Sequence, residues 1–187
     1  RSTQGVSSAA SDVYNRQLGK HLFIDFEGGL SLHSHLRMTG AWAVATTDRP
    51  ARRARRRAWL VIRSGDSEVI EFDGPVLELM TTSRTRIDPR FSRLGPDVLA
   101  ESFDGKRFIG RLREDDPTRG FGDALLDQRN IAGIGNIWKA EACWGAGIEP
   151  WRPIGDITDA EALRAIELVR PRMATSAFGS EPKDQRG

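Results

Sequence analysis

Residues 122–150, GDALLDQRNIAGIGNIWKAEACWGAGIEP, decide how this chain is read. The pattern predicts a short helix over 122–128, a glycine-punctuated double turn over 129–135, and a second helix over 136–144. Glycine tolerates positive φ and lets another molecule come close to the backbone, so Gly133 and Gly135 predict a tight turn with an open flank. A helix that starts directly after such a turn offers its first N–H groups and the positive end of its dipole to an anion, and a phosphodiester fits that description. Asn136 stands where an amide can cap the helix or reach a phosphate oxygen, and Lys139 adds a cation one turn later. A glycine-rich turn can also be a plain connection. On this string alone both roles stand.

Outward from the motif, the two halves of the chain differ in period. Leu22, Ile24 and Phe26 alternate with polar positions, Glu27-Gly28-Gly29 turns the chain, and Leu30 and Leu32 resume the alternation. A second hairpin is expected from strands at 58–63 and 67–72 around Ser64-Gly65-Asp66, with a further strand at 76–80. Beyond Pro89 the signals turn helical. Asp104 can cap a helix that carries Phe108, Ile109 and Leu112 on one face, and residues 115–120 read as a polar connector. Thr158 and Glu161 form a capping box for a helix that Pro171 should end or kink. The expected organisation is a flexible tail at 1–14, a partial antiparallel β-sandwich lobe at 15–88 and a helical lobe at 89–187. A linker near 84–93 would leave a cleft between the lobes. The fold class is α+β.

Composition narrows the function. The 187 residues carry a net charge of +2, so affinity for a polyanion has to come from local clustering. One cluster exists: Arg49, Arg52, Arg53, Arg55, Arg56 and Arg57. Arginine runs are commonly solvated loops, but planar donors without neighbouring acids also suit phosphates. No apolar run approaches the ~18 residues of a membrane span. The first residues lack a signal peptide's basic start and apolar stretch, which points to the cytoplasm and the nucleoid. Cys143 is the only cysteine, which leaves no intrachain disulfide, and it fits a buried helix face.

The motif string, together with GKHLFIDFEGGLSLHSHLRMTGAW at 19–42 and LGPDVL at 94–99, strongly resembles the formamidopyrimidine-DNA glycosylase and endonuclease VIII family of base-excision repair proteins, over residues 19–153. The context of Lys139, Glu141 and Cys143, with LHSHLRM, is more similar to the endonuclease VIII branch. The resemblance implies a two-layered β lobe, a helix–two-turn–helix lobe and double-stranded DNA with a damaged base or abasic site as partner, with no obligate protein partner evident. It implies that Lys20 and Asn136 hold phosphates, that Met38 inserts an apolar wedge into the base stack, and that Glu141 hydrogen-bonds the turn from a buried position. Gly133, Gly135, Lys139, Arg52 and Arg53 complete the expected DNA-holding set. Arg37 suits a phosphate contact or a solvent-facing position. Trp138, Trp144 and Trp151 read as packing.

The family's nucleophile is the α-amine of an N-terminal proline, followed by a glutamate for acid–base work; a neutral secondary amine can form an iminium with the sugar. The sequence starts Arg1-Ser2 and has no Pro-Glu pair in its first 40 residues, and with one cysteine it does not build the family's four-cysteine zinc finger. The expectation is therefore a chain truncated at both ends, with no catalytic residue assigned, no cofactor and no zinc. His33 and His35 share a strand face with His21 nearby, but without further ligands packing or hydrogen bonding is the expected role. Two functions follow. One is a damaged-base DNA glycosylase and abasic-site lyase by resemblance; the other is an inactive damaged-DNA-binding module, a fragment or degenerate copy. Whether this polypeptide is itself an enzyme is left open. A third reading, an RNA-binding protein built on the same helical motif, is opposed by the β lobe.

Overall fold

The computed structural model describes residues 14–179. The chain divides into two units, one ending at Asp88 and the other starting at Pro89. The tail expected at 1–14 falls outside the described residues except for Tyr14, which already belongs to a strand.

The first unit holds two antiparallel sheets. Strands β1 (Tyr14–Leu18), β2 (His21–Phe26), β3 (Leu30–His35) and β7 (Val76–Thr81) form one sheet in that spatial order. Strands β4 (Ala41–Thr46), β6 (Ser67–Phe72) and β5 (Ala58–Ser64) form the other. Gly28 and Gly29, with φ of 80° and 78°, supply the reversal between β2 and β3. The layers meet where Ser34 Oγ donates to the buried Glu71 carboxylate at 3.0 Å.

The alternation read along β2 marks the face turned to the second sheet, where Leu22 pairs with Ser34 and Ile24 with the buried Leu32, but the opposite face is covered as well. Leu22, Ile24 and Phe26 are half-buried, whereas Phe23 is fully buried. Phe23 pairs with His33 in the β2–β3 register, and the Arg16 guanidinium from β1 lies 4.0 Å above its ring. Arg16 is fixed in turn by Asp25 and by Thr85 in α1 (Thr82–Ile87). On the second sheet Ile70, Phe72 and Ala45 form a small core covered by Ala51 from the arginine-rich loop. Val44 and Leu79 remain 68% and 57% exposed, so the β lobe is thinly covered. The expected linker at 84–93 is instead largely helical: α1 continues to Ile87, and α2 spans Pro89–Ser92.

The second unit packs α3 (Gly105–Glu114), α4 (Phe121–Leu126), α5 (Asn136–Ala146) and α6 (Asp159–Phe178) around one core. Phe108 and Leu112 of α3, Phe121 and Leu125 of α4, Cys143 of α5 and Ile166 of α6 are all buried in it. Asp104 caps α3 through Arg107 N–H at 2.9 Å, and Thr158 with Glu161 forms the full capping box of α6. Pro171 does not end α6, which runs on to Phe178. The bond proline cannot make is the one to the carbonyl of Glu167, an exposed residue, so the unpaired carbonyl is not enclosed in the core.

Candidate nucleic-acid interface

The turn between α4 and α5 is held by one side chain. Gln128 Oε1 accepts the Gly133 N–H at 2.9 Å, and its Nε2 donates to the Ile134 and Leu126 carbonyls, both at 3.0 Å. These bonds keep Gly133 at φ 104°, a conformation that favours glycine. Gly135 does not need that freedom: its φ is −125° with ψ −178°, ordinary extended backbone, and it serves as the N-cap residue of α5.

A second strand of chain laces the turn from behind. Gly95 N–H bonds Gln128 O at 2.9 Å, Ala132 N–H bonds Pro96 O at 2.9 Å, and Val98 N–H bonds Ala132 O at 3.0 Å. A Cβ at Gly95 would lie 2.4 Å from the Asn130 carbonyl oxygen. That close approach explains why LGPDVL accompanies the motif. A polar network completes the support. Arg119 bridges Asp115 at 2.8 Å and Asp127 at 3.1 Å, Arg129 holds Asp127 at 2.6 Å, and Asn130 Nδ2 donates to Asp115 at 2.7 Å. The Arg129 guanidinium, with further hydrogen bonds from backbone and Arg119, holds the Asp127 carboxyl well below the usual carboxylate range. The polar connector expected at 115–120 is thus part of the turn's scaffold.

The consequence is an open helix start. The first intrahelical bond of α5 runs from Lys139 N–H to Gly135 O at 2.8 Å, and no side chain caps the helix. Asn136, Ile137 and Trp138 therefore present N–H groups without an intrahelical acceptor. Asn136 is not the cap the sequence suggested; it is the first residue of the helix, and it is exposed. Its amide stands free of a capping role, beside donors aimed the same way. Lys139 lies one turn on, its aliphatic stem 3.3 Å from where a Cβ on Gly122 of α4 would sit.

Three readings of α5 and its surroundings change. Glu141 is not buried against the turn: it pairs with Arg172 of α6 at 3.3 Å and remains half exposed. Trp138 packs on the core as expected, but Trp144 and Trp151 are 85% and 72% exposed. Cys143 is buried, and burial pushes its thiol pKa up.

The β lobe gathers a second set of polar residues. Lys20 sits in the β1–β2 turn, where desolvation lowers its pKa. Its charge reaches His35, whose imidazole pKa is lowered by desolvation and then by the Arg37 and Lys20 cations. His21 Nδ1 and His33 Nε2 are 2.9 Å apart, so the strand histidines are hydrogen-bonded, as expected. Among the described residues, no group of three His, Cys, Asp or Glu side chains is placed to hold a metal ion. Met38 stands 96% exposed in the turn after β3, where the neighbouring Arg37 takes φ 46° and its N–H bonds His35 Nδ1 at 3.1 Å. Sequence reasoning missed Gln128, Asp127 and Arg119. A lone Gln or Asp beside a glycine turn carries a signal only as part of the whole DQRNIAGIGN string.

The arginine loop is more occupied than its sequence suggested. Arg53 and Arg57 both pair with Asp73, at 3.4 and 2.6 Å, and Arg55 and Arg63 both pair with Glu68. Among the described residues Arg49, Arg52 and Arg56 have no ion pair. Asp73 O also accepts from Thr39 Oγ1 at 3.2 Å, which ties the Met38 turn to this loop.

These features define a helix–two-turn–helix protein, and comparison with known proteins gives its family. Residues 94–177 match the formamidopyrimidine-DNA glycosylase H2TH domain, and residues 11–75 match the formamidopyrimidine-DNA glycosylase N-terminal domain. The chain belongs to the formamidopyrimidine-DNA glycosylase and endonuclease VIII family. It is 39% identical over 157 residues to "Probable endonuclease 8 2" of Streptomyces coelicolor, covering 81% of this chain and 54% of that protein. It is 37% identical over 169 residues to "DNA-(apurinic or apyrimidinic site) lyase Nei2" of Mycolicibacterium smegmatis, covering 90% and 62%. The chain therefore spans little more than half the length of these curated relatives. Among solved structures it is similar to Lactococcus lactis Fpg bound to DNA containing an abasic site, with TM-score 0.71 and 28% identity, covering 89% of this chain and 61% of that one. The same enzyme with N7-benzyl-Fapy-dG DNA gives TM-score 0.71 and 27% identity, covering 91% and 63%. The expectation about the Pro-Glu pair at the N-terminus falls on residues outside the described ones.

Proposed function

We propose that this chain is the DNA-holding portion of a base-excision repair protein, gripping double-stranded DNA that carries a damaged base or an abasic site. The whole protein would act as a damaged-base DNA glycosylase and abasic-site lyase, in the cytoplasm at the nucleoid. The observation that carries this reading is the open start of α5, held in place by Gln128 and presenting unpaired N–H groups beside the exposed Asn136. In this reading Asn136, the amides after Gly133 and Gly135, and Lys139 hold one phosphate. Lys20 holds another, and Met38 fills the gap left when a nucleotide leaves the stack. Arg52 adds a salt-sensitive backbone contact, and Arg53 does so only by leaving Asp73. Support comes from relatives named as an endonuclease and an abasic-site lyase, and from similar structures solved on abasic-site DNA. No cofactor or protein partner is assigned. Among the described residues no helix is long and apolar enough to cross a membrane.

The test is an anisotropy titration of duplexes with and without an abasic-site analogue, at low and moderate salt. Lesion-selective binding that weakens with salt is expected. A folded sample that binds neither duplex at low salt would refute the reading. Borohydride trapping on abasic-site DNA, with the adduct mapped by mass spectrometry, then separates a lyase from a binding module.

A further inference from the structure

Phe23, His33, His21 and His35 form a column of rings across the face of the first sheet. His33 stacks on Phe23 and on His21, each at 5.1 Å between ring centroids, and His21 meets His35 edge-on at 4.7 Å. One end of the column is the Arg16 guanidinium over Phe23, and the other is His35, within reach of the Lys20 and Arg37 charges. His33 is fully enclosed, at 1% exposure, and its Nδ1 lies 3.5 Å from the Glu78 carboxylate of β7, within ion-pair range.

We propose that His33 and His21 form a proton-sharing pair that takes up one proton when a phosphodiester binds beside Lys20 and His35, and so positions and charges the phosphate-holding end of the β lobe. This rests on the DNA-holding reading above. The geometry sets the stoichiometry. With His21 Nδ1 and His33 Nε2 only 2.9 Å apart, a single proton fits between them. A neutral pair holds that proton and one more, on either of the two outer nitrogens. A third proton, drawn from solvent onto the lone pair of the remaining outer nitrogen, gives the pair one positive charge. A fourth would require two protons in the shared gap, so uptake stops at one.

Glu78 on β7 faces His33 and stabilises a cation there. Arg16 on β1 is committed to Asp25 on β2. Lys20 in the β1–β2 turn and Arg37 after β3 bear on His35 and hold its proton affinity down, while Arg84 and Arg86 of α1 are exposed. An arriving phosphate neutralises the cations at that end and makes room for one more positive charge along the column. His21 and His33 are positioning residues here; they do not touch the phosphate.

The experiment is calorimetric titration of this chain with an abasic-analogue duplex between pH 6 and 8, at fixed ionic strength, in buffers of different ionisation enthalpy. Binding should take up close to one proton, and Kd should rise by up to about tenfold per pH unit above the pKa of the pair. His33→Gln should abolish the uptake, whereas His35→Gln should weaken binding and keep it. Undiminished uptake in His33→Gln, or wild-type binding without uptake, would overturn the proposal. Absence of any binding would instead refute the DNA-holding reading, and the proposal with it. Should His33→Gln fail to fold, nitrogen-15 shifts of the wild-type imidazoles decide the matter. A ring protonated on both nitrogens only in the complex is expected, and unchanged shifts would refute it.

Discussion

Gln128 and Gly133 are joined side chain to backbone, with Gly133 N–H donating to Gln128 Oε1 at 2.9 Å while the same amide's nitrogen reaches the Ile134 carbonyl. One amide thus replaces the backbone bonds that the turn cannot make for itself, and it fixes the direction in which α5 starts. Gln128→Ala removes the acceptor and both donors, and should destabilise the helical unit by about 1–3 kcal/mol. DNA affinity should fall further than the lost stability explains. Thermal midpoint and affinity measured on the same variant check this; a lowered midpoint with unchanged affinity would separate the turn from DNA binding.

Asn136 makes the complementary case. Because Gly135, not Asn136, is the N-cap residue and no side chain caps α5, Asn136→Ala should leave the midpoint nearly unchanged. Affinity for an abasic-analogue duplex should drop by roughly 1.5–3 kcal/mol, the worth of one hydrogen bond to a charged group. Thermal melting and an anisotropy titration of the same variant measure the two quantities.

Glu161 links stability to acid. Arg152, at 2.8 Å, and the capping-box bonds to Thr158 pull its carboxyl pKa down to about 2, from 4.5. A depressed folded-state pKa gives stability that is present above the unfolded value and is lost as pH falls through the folded one. Glu161→Gln should therefore lower the urea midpoint at pH 7, with the difference from wild type shrinking as pH drops from 4.5 towards 2. A difference that stays constant across that range would rule the linkage out.

Glu71 should behave in the opposite sense. It is fully buried in the β lobe, and desolvation raises its pKa despite the Ser34 hydrogen bond. Above pH 4.5 the unfolded chain releases a proton that the folded chain keeps, so stability falls as pH rises through that window. Glu71→Gln should raise the midpoint at pH 7 and lose its advantage near pH 4. A destabilised variant at pH 7 would show that the carboxyl itself is needed.

Legibility from sequence followed the range of the forces involved. Capping at Asp104 and Thr158 is decided within three residues, and both caps formed as read. The α4–turn–α5 string was legible for the same reason, and its glycines pointed to the right place even though only Gly133 uses positive φ. Phe23 was not legible: period two marks Leu22 and Ile24 for the face that meets the second sheet, whereas Phe23 on the opposite face lies under Arg16, which Thr85, far along the chain, helps to hold. Glu141 was misplaced because its partner Arg172 lies on another helix, and Trp144 because helical spacing does not reveal what lies opposite it. Pro171 was read by a local rule that exposure on the Glu167 side relaxes.

Asp73 and Glu68 act towards the arginine loop as built-in counterions. Each already neutralises guanidinium groups that an approaching polyanion would otherwise meet bare. Displacing a tethered carboxylate gains no entropy of release, unlike displacing a small ion from DNA's atmosphere. The six arginines of residues 49–57 thus overstate the loop's electrolyte sensitivity, which should reflect Arg49, Arg52 and Arg56. The tethers also hold the loop against its own repulsion, so a dense run of like charge keeps one shape in dilute buffer.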